Sequence, residues 1–156
     1  MSKPTSNWKM YRPVVLLALV SMLVCGLAFP LLVTGVSQVA FPHQADGSLV
    51  QLGNRTVGSY YIDNGFTLPI FFHARNESIP ASASASGVDP DITLQDALNQ
   101  TSRIHSATGI PVSNLTSIVM SHEQWTIWIT GDPYVNVLDL NLALISAYPT
   151  FYSAYS

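Results

Sequence analysis

The chain is poor in cysteine, in charge and above all in lysine: of 156 residues one is Cys, 10% are charged, and no Lys follows Lys9. A single cysteine, Cys25, excludes an intrachain disulfide framework and any multi-cysteine metal site. An ordinary soluble domain carries about 25% charged residues. Here the deficit is joined to 48% hydrophobic residues, which excludes a disordered chain, whose signature is the reverse. Six Lys plus Arg against nine acids cannot build the basic face of a nucleic-acid binder. No GxxxxGK[ST] phosphate loop occurs, and the serines, Ser86-Gly87 included, lack a nucleophile-elbow context. His122-Glu123 begins like a zincin helix, but the second histidine position is Thr126. The histidines, His43, His73, His105 and His122, are scattered, whereas a zinc site needs three or four converging ligands. No catalytic, metal or directly bound cofactor residues are assigned, and the length excludes a large multidomain enzyme.

What the sequence does have is one long apolar run. Between Arg12 and Asp46 there is no charged residue, and Val14 to Val36 reads VVLLALVSMLVCGLAFPLLVTGV. As a helix those 23 residues span roughly 34 Å, enough for a hydrocarbon core of about 30 Å. A domain this small cannot bury such a helix on all sides, so residues 13–36 are predicted to cross a membrane. A cleaved signal peptide has a shorter apolar stretch, of about 7–15 residues. A lipoprotein signal is disfavoured because Met22, Leu23 and Val24, not small residues, precede Cys25.

The charges orient the helix. Lys3, Lys9 and Arg12 precede it with no acid among them, and the next cation is Arg55. By the positive-inside rule residues 1–12 are cytoplasmic and residues 37–156 extracytoplasmic, with Trp8 and Tyr11 in an inner aromatic belt and Phe41 in an outer one. From residue 37 onward three Arg face all nine acids, a net charge of −6. Asp46 is the first acid after the apolar run, and Asp46-Gly47 reads as a turn. Ala18, Ser21, Cys25 and Ala28 recur at spacings of three or four and form a small-residue stripe suited to close contact with a partner helix. Pro30 removes a donor and is expected to kink the helix or loosen a turn.

The external part reads as α+β, a small sheet with a helical hairpin. Ser48–Leu52 and Thr56–Asp63 are β-prone around Gly53-Asn54, a hairpin pattern. Thr67–His73 is a third strand candidate, demoted to an edge by Pro69. Ala81–Ser86, ASASAS, is a loop. Thr93-x-x-Asp96 resembles a capping box before a helix that Gly109 and Pro111 close, and Ser113 is placed to cap a second helix. Trp125–Thr130 is β-prone, Gly131-Asp132-Pro133 a turn, and Leu138, Leu140, Leu142 and Leu144 alternate with period two, predicting a half-buried strand. Asp89 and Asp91 flank Pro90 and read as turn and helix-start chemistry. Sequons at Asn54, Asn76, Asn99 and Asn114 suit an exported surface.

Three stretches together resemble the C subunit of the Kdp potassium-transporting P-type ATPase, the KdpC family: GLAFPLLVTGVSQVAFPHQADGSLV (residues 26–50), after Arg12-Pro13; SGVDPDIT (86–93); and GDPYVNVLDLNLAL (131–144). FFHAR (71–75) is similar to the family's aromatic-then-Arg segment, and the likeness covers nearly the whole chain up to Leu144. The matching motif positions include Pro30, Gly35, Gln44, Gly47, Asp89, Pro90, Asn136 and Asn141. Where the family carries a longer insert before its SGxDP motif, only ASASAS stands here. The resemblance implies a non-catalytic membrane subunit of an ATP-driven K⁺ importer. Its partners would be a channel-like K⁺-selecting subunit and a P-type subunit that hydrolyses ATP with Mg²⁺. Members are described as catalytic chaperones that raise the hydrolytic subunit's affinity for ATP. The competing reading is a membrane-anchored surface glycoprotein, pilin-like or surface-layer-associated. The absence of an acid early in the apolar run disfavours a pilin.

Overall fold

The structure is a computed structural model that describes residues 8–74, 84–125 and 131–155. It divides into two compact units, Met1–Asp46 and Gly47–Ser156. Arg75, the Asn76 sequon, residues 81–83 of the ASASAS loop and most of the β-prone stretch 125–130 lie outside the described residues.

The first unit is one continuous helical rod: α1 (Trp8–Leu23), a π-turn (Val24–Ala28) and α2 (Phe29–Ala40), followed by the short α3 (Pro42–Ala45). Residues Tyr11–Ala40 form a 30-residue helical span whose most apolar 18-residue stretch has a mean hydropathy of 2.6 and no buried part. It is long and apolar enough to cross a bilayer, and it runs four residues beyond Val36. The π-turn answers the expectation for Pro30. Proline has no N–H to give the carbonyl of Gly26, and its ring crowds that carbonyl. Widening the preceding turn relieves both, and the Phe29 N–H reaches back five residues to the Val24 carbonyl.

The second unit begins with a hairpin, β1 (Leu49–Leu52) and β2 (Arg55–Ser59). Leu52 pairs with Arg55, so Gly53-Asn54 is the whole loop, and Gly53 at φ +61° supplies the left-handed first position of a type II′ turn. The second strand stops at Ser59, short of the predicted Asp63. Asn64 ends it, with Oδ1 accepting from the Ser59 N–H and Nδ2 donating to the Ser59 carbonyl.

A second two-stranded sheet joins β3 (Asp91–Thr93) to β4 (Tyr134–Asn136), antiparallel, with Asp91 opposite Asn136. Thr93 leads directly into α4 (Leu94–Thr108) and caps it: its Oγ1 accepts from the Asp96 N–H at 3.1 Å. The reciprocal half of the capping box differs, because Asp is shorter than Glu; Asp96 Oδ2 accepts from the Thr93 hydroxyl at 2.7 Å. Gly109, at φ +75°, closes α4 as expected. The next helix, α5 (Val112–Ser121), starts from Pro111 and not from Ser113, which lies inside it. Proline's fixed φ lets it precede the first turn without a side-chain cap.

Two strand expectations are overturned. Val137–Ala147 is a helix, α6, not a strand. Its buried residues Val137, Leu138, Leu140, Asn141, Leu144 and Ile145 recur at one, three, four, seven and eight positions, a helical face that the leucines alone disguise as period two. Asn136 is the start signal: its Oδ1 accepts from the N–H groups of Leu138 and Asp139. Thr67–His73 joins no sheet. Its tail is held by side-chain amides, described below. The α+β character stands, with two minimal sheets in place of one. Phe72, Ile104, Leu115, Val135, Leu140 and Tyr152 are fully buried at the centre of the second unit.

Candidate functional site

The stretches SGVDPDIT and GDPYVN, 45 positions apart, become neighbours because β3 and β4 pair. Asn136 sits at the junction, 1% exposed. Its Nδ2 donates to Asp91 Oδ1 at 2.9 Å and to the Tyr60 carbonyl at 3.1 Å, while its Oδ1 caps α6. Pro90 is buried beside it, its carbonyl accepting from the Val137 N–H at 3.1 Å. Asp89 Oδ1 accepts from the Asp91 N–H at 3.1 Å, the turn role foreseen for it. Gln124, bridged to Tyr134, donates through Nε2 to Tyr60 Oη at 3.1 Å.

Two neighbouring carboxylates act on Asp91 here. Burial raises the Asp91 carboxyl above its ordinary value, Asn136 works against this, and the charges of Asp89 and Asp139 add to the rise. At Tyr60 the Gln124 hydrogen bond favours the ionised form, but burial and the charges of Asp139 and Asp91 outweigh it and raise the phenol. The cluster is anionic and hydrogen-bonded. Among the described residues no three His, Cys, Asp or Glu could jointly hold a metal ion.

A second constellation fixes the segment after Leu68. Asn141, fully buried on α6, accepts from the Phe72 N–H at 2.8 Å and donates to the Phe72 carbonyl at 3.0 Å. Gln100, on the buried face of α4, does the same for His73 at 2.8 and 3.0 Å. Two side-chain amides thus replace the ladder a neighbouring strand would have offered. Arg103 adds bonds to the carbonyls of Pro69 and Phe71 and to Gln100 Oε1. The His73 ring donates from Nε2 to the Leu68 carbonyl, and burial lowers its pKa. Tyr152 enters from the C-terminal tail, its hydroxyl bonded to the Ile70 carbonyl and pushed up to about 12 by burial.

The other motif positions are dispersed. Gly47 adopts φ +88° in the turn after α3, and its carbonyl accepts from the Ser59 hydroxyl at 2.6 Å. Gln44 is exposed on α3, and Gly35 lies on α2. Ala18 and Ser21 lie on α1 and Cys25 and Ala28 in the π-turn, all exposed. Sequence reasoning missed Tyr60, Gln100, Arg103, Gln124 and Tyr152. Gln100 had a signal: it is the long amide on the buried face it shares with Ala97, Thr101 and Ile104.

A nucleoside triphosphate needs several convergent cationic or backbone donors, and the two described arginines of the second unit lie on separate elements. The donors of Arg103 are committed to Pro69, Phe71 and Gln100, and Arg55 lies elsewhere, on β2.

A family model described as K⁺-transporting ATPase, c chain (KdpC) matches residues 11–82 and 78–146. The two matches meet beside the short ASASAS loop. Proteins named potassium-transporting ATPase KdpC subunit are similar over most of their length. That of Gemmatimonas aurantiaca is 32% identical over 86% of this chain and 92% of its own. That of Caulobacter vibrioides is 36% identical over 85% and 92%. That of Rhodopseudomonas palustris is 33% identical over 90% and 98%. The Gemmatimonas alignment runs to 182 positions, more than the 156 residues available here, so that relative carries residues this chain lacks. These relatives lend the surface-glycoprotein alternative no support.

Proposed function

The chain belongs to the KdpC family, the c chain of the K⁺-transporting ATPase, and from that premise we propose that it performs no chemistry itself and acts from outside the cytoplasm. It is an accessory subunit of a potassium import complex. Its immediate partners in this reading are the channel-like subunit that selects K⁺ and the P-type subunit that hydrolyses ATP. ATP and Mg²⁺ reside on the latter.

One observation carries the reading. The two motif stretches of the second unit meet in a site whose polar groups bond to one another and to the start of α6, and among the described residues no three His, Cys, Asp or Glu join them as a metal site. Such a site holds a shape. An effect on ATP affinity is then indirect, a coupling between sites transmitted through the assembly. The charge asymmetry, +3 before the apolar span and −6 after it, supports an N-in, C-out arrangement that puts the membrane between this domain and ATP.

Two measurements test this. A C-terminal reporter active only in the cytoplasm should be silent, and full activity would reverse the topology. Calorimetry of the full chain in nanodiscs with Mg-ATP should give no saturable heat, whereas the assembled complex should lose apparent ATP affinity when this chain is omitted. Micromolar binding to the chain alone would replace the indirect coupling with a direct nucleotide role.

A further inference from the structure

A groove of about 330 Å³ opens in the second unit between β2, α6 and the C-terminal tail. Leu138, Leu142 and Ile145 of α6 form its floor, Phe66 and Tyr155 flank it, and Arg55 stands at its edge. Phe71 ties the walls together, its ring centroid 5.3 Å from that of Phe66 and 5.1 Å from that of Tyr155.

Charge singles this groove out. The chain carries −6 from residue 37 onward, yet among the described residues no Asp or Glu lines the groove. Arg103, the other described arginine of the unit, is engaged through both terminal nitrogens with the carbonyls of Pro69 and Phe71 and with Gln100. Arg55 is exposed, and its guanidinium has no hydrogen-bond or ion-pair partner among the described residues. An uncommitted guanidinium above an apolar, acid-free floor is complementary to an anion carrying a hydrocarbon chain.

We propose that this groove is a binding site for a single-chain aliphatic carboxylate, the carboxylate on Arg55 and the chain along Leu138, Leu142 and Ile145. The volume lies at the lower end of the roughly 300–1,000 Å³ usual for small-molecule pockets, which suits one medium chain and not a diacyl lipid. Affinity should rise about fourfold per methylene until the floor is covered. The groove does not include Asp91 or Asn136.

The test uses the full chain in phosphatidylcholine nanodiscs with a diazirine-bearing fatty acid, ultraviolet cross-linking and mass spectrometry. Label should appear in residues 137–155 and be displaced by decanoate, but not by decanol or decyltrimethylammonium. Arg55→Gln should cut this labelling about tenfold, the scale of a lost charge-assisted hydrogen bond, and leave labelling of residues 11–40 unchanged as an internal control. Leu142→Glu, at a half-buried floor position, should abolish it by placing an acid in the groove. Groove labelling indifferent to Arg55→Gln, or displaced equally by decanol, overturns the proposal. So does displacement by phosphatidylglycerol nanodiscs as effective as by decanoate, which would make the ligand a phospholipid. Protection of the groove in the assembled complex that decanoate cannot relieve would make it a partner's acidic segment and would also overturn the proposal.

Discussion

Replacing Asn141 by Leu should destabilise the second unit severely while keeping the volume of its core. Asn141 is fully buried and makes two bonds to the backbone of Phe72, itself fully buried. Leucine is nearly isosteric, so little cavity opens, but a buried N–H and a buried C=O lose their partners together. Each orphaned group costs about 1–3 kcal/mol, which gives a total of about 2–6 kcal/mol. Domains are stable by only about 5–15 kcal/mol, so the variant should sit at the edge of folding. Urea unfolding of the full chain in nanodiscs, followed by the near-ultraviolet circular dichroism of the tyrosines, reads this as a lower midpoint at unchanged slope. Gln100→Leu should cost at least as much, because Gln100 also accepts from Arg103. The double variant should lose less than the sum, since both amides hold one segment. If Asn141→Leu lies within about 0.5 kcal/mol of the parent, the range of an ordinary surface change, the amide clamp does not hold this segment.

Acidification should weaken the second unit through His73. Burial lowers its folded pKa below the ordinary 6.5, so its contribution is complete above that value and fades as pH falls through the window beneath it; His73→Asn should lose less midpoint between pH 7.5 and 5.5 than the parent. Asp91→Asn acts with the opposite sign. The folded Asp91 pKa is raised above 3.8, so its ionised form is disfavoured at neutral pH, and the neutral variant, which still accepts from Asn136, should raise the thermal midpoint by the equivalent of up to about 1 kcal/mol at pH 7. That gain should vanish in acid, and a lower midpoint at pH 7 would contradict the electrostatic account. Pro30→Ala returns a donor to the Gly26 carbonyl and should let the π-turn relax to α, changing the distance between spin labels at Leu17 and Val36; an unchanged distance would show that proline does not hold the turn. Ser21→Leu with Cys25→Leu should lower recovery of the assembled complex more than leucines at Val20 and Met22, and equal effects would remove the small-residue stripe as an interface.

The apolar span, the first hairpin and the α4–α5 pair were legible because each carries a local signal: a charge-free run, a glycine-bearing two-residue loop, a Thr93 cap and a Gly109 stop. The misread elements lack one or hide it. In α6 the apolar positions are so dense that Leu138 to Leu144 satisfies both periods, and the evidence against a strand was the cap residue Asn136, read only as part of a motif. Residues 67–73 have the composition of a strand, but their backbone partners are side chains 27 and 69 positions away. No local pattern announces such a partner. The Tyr60–Asn136 contact, 76 positions apart, is hidden for the same reason. Polar residues on apolar helix faces, Gln100 and Asn141, were the sequence's nearest hint that backbone elsewhere needed them.

What the motif residues do constrains where the accessory role can reside. Gly47 makes a left-handed turn, Pro90 and Asn136 join β3 to the start of α6, and Asn141 clamps Phe72. Each serves this chain's own backbone, and three of the four are buried with their polar atoms already matched. A side chain so engaged cannot also grip a partner without breaking the fold. Loss of complex on changing Asn136 or Asn141 therefore has a different meaning from loss on changing an exposed residue. The former should always be accompanied by a lower unfolding midpoint, because the partner-facing surface is lost with the domain. The latter should occur at full stability. Measuring midpoint and complex recovery on the same variants separates the two. An Asn136→Ala chain that unfolds like the parent yet fails to assemble would place a partner contact directly on the motif, against the reading that these residues act by shaping the domain.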